Sequence, residues 1–573
     1  MAVGSPRARQ WAWFSSTAAS LGLHTSLLDL VAVGTLVAAF FGAPVGLLVG
    51  LAAIVLGASV AAGRTMDETA VSTIRALRSV VTARVSVVVV GAWLAGRALV
   101  GTASTAVIVA LLAGTAVLEP VIARLSSISG TVVSGIDSMP THSGPWLPFD
   151  LAHWVNSVAL ALNLCWPFAP SWWSAVGVTA GAAAACVACI SLLDASLGIR
   201  ARHQQEKRLR KALWALRPKA AIYWVASAGT EFQLRMWLPH LERLGVPFFV
   251  IVRTRSNFEE ARAMTSVPVV LCRFADDLDA VVVKSLKTVF YTNNSVRNMH
   301  MVRFPGLVHI QLNHGDSDKA PSFNPVFRMY DKNFVAGQAA IDRFAANGVP
   351  VRPEVFSIVG RPQVADVEVS DAVIDAIEHP TVLYAPTWYG FNADSRYSSL
   401  GLGPDLVRLL LAAGANVIFR PHPYSRRTPA FVSAINEIHA LLKADSRPEA
   451  RHVYGPAAET QWSITDCFNH ADAMVSDVSS VVNDFLFSAK PMAIVAVSTP
   501  VAAFAAEFPI ARAAYVLDAS SGELRGADDE IQLMLGQDPL RETRQTLRPY
   551  YLGDFPVDGY ADHFVREARR FIV

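Results

Sequence analysis

Four short stretches carry residue types that could grip and move a charged group, and each of them closes an apolar run. Arg420-Pro421-His422-Pro423 ends Val417-Ile418-Phe419. Two prolines stop a β-branched run there, so a fixed cation and a titratable imidazole stand at the carboxyl end of a buried parallel strand. Ligands of open α/β sheets bind at that end, and the pair suits a phosphate. Asn313-His314-Gly315-Asp316 follows Val308–Leu312. Its glycine lets the backbone approach a ligand, and an imidazole with an ordinary pKa near ~6.5 can take a proton from a hydroxyl at neutral pH. Both stretches also read as plain structure: a solvated proline turn in the first, and a helix start at Asp316 or Ser317 in the second.

The third stretch is Tyr384-Ala385-Pro386-Thr387-Trp388. Thr387 could donate to a phosphate or cap the next helix, and Trp388 could cover a base or pack in the core. The fourth is Ser476-Asp477-Val478-Ser479-Ser480-Val481-Val482-Asn483-Asp484. A strand ending in small hydroxyls that open a helix presents backbone N–H groups and side-chain donors to an anion. Ser479 and Ser480 are the natural donors, with Ser476 beside them. Asp477 and Asp484 would orient those donors or hold a substrate hydroxyl.

Placing four such loops together requires parallel strands. From Pro218 onward short apolar runs alternate with amphipathic stretches, the pattern of βαβ units. Strands are predicted at 221–227, 248–252, 288–291, 308–312, 333–335 and 356–359, then at 381–385, 415–419, 473–476 and 492–495. Thr230-Glu231-Phe232-Gln233 reads as a capping box opening a helix to about Leu244. The break near 360–380 separates two Rossmann-like sets facing one cleft. The last stretch, from Asp558, reads as an amphipathic helix returning to the first set.

The chain has 573 residues, 52% of them hydrophobic and 17% charged, and the apolar excess lies before about residue 195. Apolar runs of the length a bilayer requires fall near 24–41, 44–62, 80–96, 98–118, 151–168 and 171–193, predicting six spans. Arg7 and Arg9, then Arg64, Arg75, Arg78 and Arg84, then the cluster from Arg200 to Lys219 would all lie on one side, which the positive-inside rule makes cytoplasmic. No span offers a pair of acidic residues or a histidine with a visible partner, which disfavours an ion-coupled transporter. Gly46 and Gly50 match a small-residue helix-packing motif, and 125–145 reads as a loop. A net charge of +2 gives no bias toward nucleic acid. Five cysteines form no disulfide framework, and Cys186 and Cys189 sit in alanine-rich helix rather than at a metal.

The ordered set His314-Gly315, Tyr384-Ala385-Pro386-Thr387-Trp388, Arg420-Pro421-His422-Pro423, Ser476-Asp477-Val478-Ser479-Ser480 and Lys490-Pro491 resembles the CDP-glycerol glycerophosphotransferases of teichoic-acid-like polymer synthesis, over roughly 220–573. The resemblance implies an α/β GT-B-type domain of two Rossmann-like subdomains behind an α-helical polytopic membrane domain. The expected boundaries are 1–195 for the membrane domain, 196–219 for a basic linker, 220–365 for the acceptor side and 366–573 for the donor side. It implies His314 and His422 as the functional histidines, one activating the acceptor hydroxyl and the other contacting the donor diphosphate. Thr387, Arg420, Ser476, Asp477, Ser479, Ser480 and Asp484 would bind the donor, and Asn313, Gly315, Asp316 and Lys319 would lie on the acceptor side.

The sequence departs from that pattern at Asp316-Ser317-Asp318-Lys319, where the family has Thr-Pro, and at Gly360-Arg361-Pro362. Asp316/Asp318 and Asp277/Asp279 each match a DxD metal pattern, but an Arg/His/helix-terminus site can neutralise a diphosphate without a cation, so no metal or other cofactor is expected. Expected partners are CDP-glycerol, a lipid-linked or polymeric glycan acceptor and membrane lipids, with a homo-oligomer left open. The expected location is a bacterial plasma membrane with the catalytic domain cytoplasmic. Two other readings stay open: a GT-B glycosyltransferase using a nucleotide sugar, and an inactive membrane scaffold.

Overall fold

The computed structural model describes residues 23–64, 70–97, 102–128, 132–136, 139, 149–165, 172–227, 229–389, 396–497 and 499–572. Arg7, Arg9 and most of the loop expected at 125–145 lie outside these residues. The chain divides into two compact units, Met1–Ala212 and Leu213–Val573.

The first unit is built from helices α1 (Leu23–Phe40), α2 (Val45–Arg64), α3 (Ala70–Arg97), α4 (Thr102–Ile128), α5 (Phe149–Leu164) and α6 (Trp173–Leu216). Fully buried alanines at 32, 52, 83 and 116 let the backbones approach. A Cβ on Gly46 or Gly50 would meet nothing within 4 Å, so the small-residue motif read there does not mark a close helix crossing. Of the six runs expected to cross a bilayer, two are long and apolar enough by themselves, Ala103–Ile122 and the helix Trp173–Leu216. The others coincide with shorter apolar stretches at Leu28–Phe40, Val45–Val60, Val80–Leu94 and Leu151–Leu164.

The second unit holds two parallel sheets. Strands β1 (Ala220–Trp224), β2 (Phe248–Val252), β3 (Val269–Leu271), β4 (Thr288–Tyr291), β5 (Val308–Gln311), β6 (Lys332–Val335) and β7 (Phe356–Ile358) run in the order β3-β2-β1-β4-β5-β6-β7. Strands β8 (Thr381–Ala385), β9 (Asn416–Phe419), β10 (Ala473–Ser476), β11 (Met492–Ala496) and β12 (Tyr515–Asp518) run in the order β9-β8-β10-β11-β12. This is a GT-B-like pair of Rossmann-type sheets. Each is buried on both faces, which is why its strands read as unbroken apolar runs. In the second sheet Leu383, Ile418, Met474 and Ile494 pack into one core, while their neighbours Val382, Val417, Val475 and Ala493 pack into the other. The order reverses between β8 and β10, so the loops that leave these two strands flank the switch point where ligands of such sheets bind.

Helices of the second unit used below are α7 (Gln338–Ala346), α8 (Ile464–His470), α9 (Ser480–Phe485), α10 (Arg541–Leu552) and α11 (Tyr560–Arg569). The capping box expected at Thr230 does not form: Thr230 Oγ1 donates to the Ser227 carbonyl instead, at 2.6 Å. The helix expected there is split into Phe232–Arg235 and Leu238–Glu242, because Pro239 cannot extend the first turn. Strands β3 and β12 escaped sequence reading, being runs of only three and four residues. Helix α11 packs on the first sheet's half of the unit, with the Phe564 ring 5.2 Å from that of Trp237 and Arg569 Nε donating to the Leu244 carbonyl at 3.1 Å.

Candidate active site

The chain leaves β5 through Asn313, which adopts a left-handed conformation with φ 57°. Its carbonyl accepts from Trp237 Nε1 at 2.6 Å, and its side chain accepts from the His314 backbone N–H at 3.0 Å. These bonds aim His314 at Phe232, ring to ring at 6.0 Å. From the other sheet, the turn after β9 brings His422 to the same phenyl ring at 6.5 Å. The two imidazoles, 108 positions apart in sequence (422 − 314), therefore flank one aromatic side chain.

The two rings are held in different protonation geometries. His422 Nδ1 accepts from the Tyr424 backbone N–H at 3.1 Å, which puts the ring proton on Nε2 and makes that atom a donor. The ring stacks on Trp388 at 6.1 Å. His314 Nδ1 is buried with no hydrogen-bond partner, while the Thr292 backbone accepts from the imidazole. Nδ1 is thereby left with the lone pair. Burial, then Arg361, push the His314 pKa down to about 4. Burial, then Lys319, Arg427 and His314, push His422 down to about 4 as well. Both are neutral at pH 7, one poised to accept a proton and one to donate a hydrogen bond.

Between β8 and β10 the side chain of Asp477 is wholly buried and accepts from the backbone N–H groups of Thr387 at 2.7 Å and Ser399 at 3.0 Å. Burial raises its pKa to about 7 despite these donors and the nearby Lys319. Asp477 thus ties both ends of the 387–399 loop to the sheet and does not itself reach toward a ligand. Ser476 Oγ is likewise committed, donating to the Ala385 carbonyl at 2.7 Å. Ser479 precedes α9 with no side-chain cap bond, and Ser480 opens that helix directly opposite Gly315, where a Cβ would lie 2.8 Å from Ser480 Oγ.

Other expected residues have structural partners. Arg420 Nη1 donates to the carbonyls of Ala458 and Trp462, the latter at 2.8 Å, and lies 3.8 Å from Cys467 Sγ. Through Nη1 its guanidinium braces the turn before α8, a structural role beside the donor-phosphate contact expected for Arg420. Asp484 is bonded to Arg361 through both carboxylate oxygens, at 2.9 and 3.2 Å, and serves as an ion-pair partner rather than a free ligand group. Asp316 and Asp318 turn to Arg343 of α7, at 2.5 and 2.9 Å. Asp318 also accepts from Ile510 N at 3.0 Å and from the Tyr551 hydroxyl at 3.4 Å. The DxD pattern is therefore a brace holding α7 to the Ile510 turn and α10. Asp277 accepts from Phe274 N and Asp279 pairs with Arg303, so the second DxD pattern is spent on local structure too.

The cations beside His422 are Lys319 and Arg427. Lys319 lies over the Tyr397 ring at 5.4 Å, and burial lowers its pKa to about 8. Arg427 stacks on Tyr424 at 3.6 Å, and its Nη2 would be 3.9 Å from a Cβ on Gly229 in the turn after β1. Phe232, Arg361, Tyr424 and Arg427 were missed as site residues. The only signal for them was Gly360-Arg361-Pro362 and the aromatic and basic character of 424–427. A cavity at the ends of β5–β7 is lined by Asn313, Gly315, Asp316, Asn333 and Arg361 among others. Asn333 Oδ1 and Asp316 Oδ2 are buried there without hydrogen-bond partners.

Residues 363–499 match the family model described as CDP-Glycerol:Poly(glycerophosphate) glycerophosphotransferase. That segment contains β8, β9, β10 and the loops carrying Thr387, His422 and Ser479. No curated protein matches the chain. Among solved structures, the wall teichoic acid polymerase TagF is similar at 13% identity, covering 64% of this chain and 94% of that one, with a TM-score of 0.38. S. aureus MnaA, solved with UDP, is similar at 9% identity over 62% of this chain and 96% of its own, with a TM-score of 0.40. A UDP-N-acetylglucosamine 2-epimerase is similar at 10% identity over 61% and 95%, with a TM-score of 0.36. Over residues 363–499 the chain is thus similar to the CDP-Glycerol:Poly(glycerophosphate) glycerophosphotransferases.

Proposed function

We propose that the protein transfers glycerol phosphate from CDP-glycerol to a hydroxyl of a lipid-linked or polymeric envelope glycan, at a cytoplasmic site held to the bacterial plasma membrane by the first unit. The observation that carries this reading is the convergence of two neutral imidazoles on Phe232, one with a buried lone pair and one with an outward N–H.

In this mechanism the acceptor oxygen attacks the β-phosphorus of CDP-glycerol while His314 Nδ1 takes its proton. The new O–P bond forms as the bond from that phosphorus to the bridging oxygen breaks, and the bridging oxygen leaves as part of CMP. His422 Nε2–H, Lys319 and Arg427 would stabilise the charge that develops on the diphosphate, together with the hydroxyls of Ser479 and Ser480. The unpartnered oxygens of Asn333 and Asp316 suit the hydroxyls of a polyol or sugar acceptor. The residues themselves supply the positive charge, so a divalent cation has no required part.

The test is CMP release from CDP-glycerol by the purified full chain with a glycan-lipid extract as acceptor. CMP release lost in both His314→Ala and His422→Ala supports the reading. Turnover of a nucleotide sugar instead of CDP-glycerol overturns the donor, and cellular function untouched by both substitutions overturns the enzyme in favour of a scaffold.

A further inference from the structure

Within the first unit, three ionisable side chains from three helices meet in an apolar interior. Arg84 of α3 is fully buried, Glu119 of α4 is 5% exposed and His153 of α5 is 4% exposed. Arg84 Nη1 donates to Glu119 Oε2, and its Nη2 donates to Ser157 Oγ at 2.7 Å and lies 3.1 Å from His153 Nδ1. The other carboxylate oxygen of Glu119 is bonded to His153 Nδ1. Asn156 Nδ2 donates to Glu119 Oε2 at 2.8 Å, and Thr115 Oγ1 donates to Asn156 Oδ1 at 2.9 Å. Sequence reading found no such pairing, because the partners lie 35 and 69 residues apart.

A buried ion pair is weak as a stabilising device, since apolar residues of the same volume pack as well or better. Ionisable groups inside apolar helical units instead mark sites that work. Glu119 also precedes Pro120, which has no N–H for the Ala116 carbonyl, so α4 lacks a rung of its ladder beside the carboxylate. Asn163 continues the polar face of α5, buried to 2% with its amide nitrogen unpartnered. The polar groups contact one another directly.

We propose that Glu119 and His153 form a proton-binding site and that its occupancy sets the arrangement of α3, α4 and α5. The Arg84–Glu119 ion pair carries no net charge as a unit. A proton taken up from water, on either the imidazole or the carboxylate, leaves a net positive charge beside Arg84 in an apolar interior. That charge is relieved only if Arg84 and the protonated group separate, and the broken rung at Pro120 is where α4 can bend. Proton uptake and helix movement are linked in this way. On the described helices of this unit the other charged or histidine residues are His24 and Asp29 of α1, Arg64 of α2, Arg75, Arg78 and Arg97 of α3, Arg124 of α4, Asp150 of α5 and, in α6, Asp194 and the charged run that starts at Arg200.

The test uses the full chain in phospholipid nanodiscs, with Cys165, Cys186 and Cys189 replaced by serine and spin labels at the outward-facing positions Val89 and Val117. The distance distribution is recorded between about pH 5 and 9, the range in which such groups titrate. Two populations whose ratio changes with pH are expected, with the pH response lost in Glu119→Gln and His153→Gln and its midpoint moved in Glu119→Asp. A single pH-independent population in the parent protein, or a response unaltered in Glu119→Gln and His153→Gln, overturns the proposal. Should Glu119→Gln fail to fold, His153→Gln and Glu119→Asp still decide it.

Discussion

Arg361 and Asp484 form a two-point ion pair between the loop after β7 and helix α9, with Nε to Oδ1 at 2.9 Å and Nη2 to Oδ2 at 3.2 Å. The pair joins the two sheets' sides of the candidate site, beside His314 on one side and the Ser479–Ser480 turn on the other. Both side chains are largely removed from water, so each depends on the other to offset its desolvation. Asp484→Ala leaves the guanidinium buried without its partner and should destabilise the second unit by about 3–5 kcal/mol. Denaturant unfolding of the parent and variant chains measures this. A loss under about 1 kcal/mol, the range of an exposed pair, would show that the bridge is not formed.

Gly315 brings the backbone of the His314 loop against α9 at Ser480. A Cβ there would stand 2.8 Å from Ser480 Oγ and 2.9 Å from Ser480 Cβ. Rotating the hydroxyl relieves the first contact but not the second. Gly315→Ala should therefore push the loop away from α9 and lower kcat/KM for CMP release by about 10²-fold, the cost of a misplacement near 1 Å. Ser480→Gly added to Gly315→Ala makes room and should recover part of the loss unless the hydroxyl itself is needed. Single Ser480→Gly separates those two cases.

The imidazoles give a signed pH dependence. Each has its pKa pushed from 6.5 to about 4, first by burial and then by neighbouring cations, Arg361 for His314 and Lys319 for His422. Between about pH 4 and 6.5 the unfolded chain binds more protons at these positions than the folded one. Their contribution to stability is thus fully present above about pH 6.5 and is lost as pH falls through about 4. For activity the base must stay neutral, so the acidic limb of kcat/KM should fall near pH 4 rather than near 6.5. A limb at 6.5 would mean that His314 is solvated in the working enzyme.

Most of the second unit was legible because its strands are buried on both faces, leaving apolar runs bounded by glycine and proline. The strand ends carried the site for the same reason, and His314 and His422 fall at two of them. What sequence could not supply was direction. Arg420 and His422 are two residues apart, yet the arginine turns to the Ala458 and Trp462 carbonyls while the histidine faces Phe232. Asp316 and Asp318 looked like a metal pattern because spacing does not reveal Arg343, which lies 27 and 25 residues away. The Arg84–Glu119–His153 contacts were hidden likewise, because long separations within helical sequence leave no periodic mark.

Arg420 separates a bracing role from a ligand role. Its Nη1 serves two carbonyls in the turn before α8, one of them on the buried Ala458. Arg420→Gln removes the cation and should cost roughly 1–3 kcal/mol for the carbonyls left unsatisfied. If bracing is its whole role, KM for CDP-glycerol in the folded fraction should change by less than about threefold, since a lost direct contact to a charged group is worth more than that. Arg427→Gln, by contrast, removes a cation stacked on Tyr424 beside His422 and should raise KM without a comparable drop in stability. Measuring both variants by thermal unfolding and by CMP release distinguishes the roles. A large KM effect in Arg420→Gln with stability unchanged would show that its working role is at the donor.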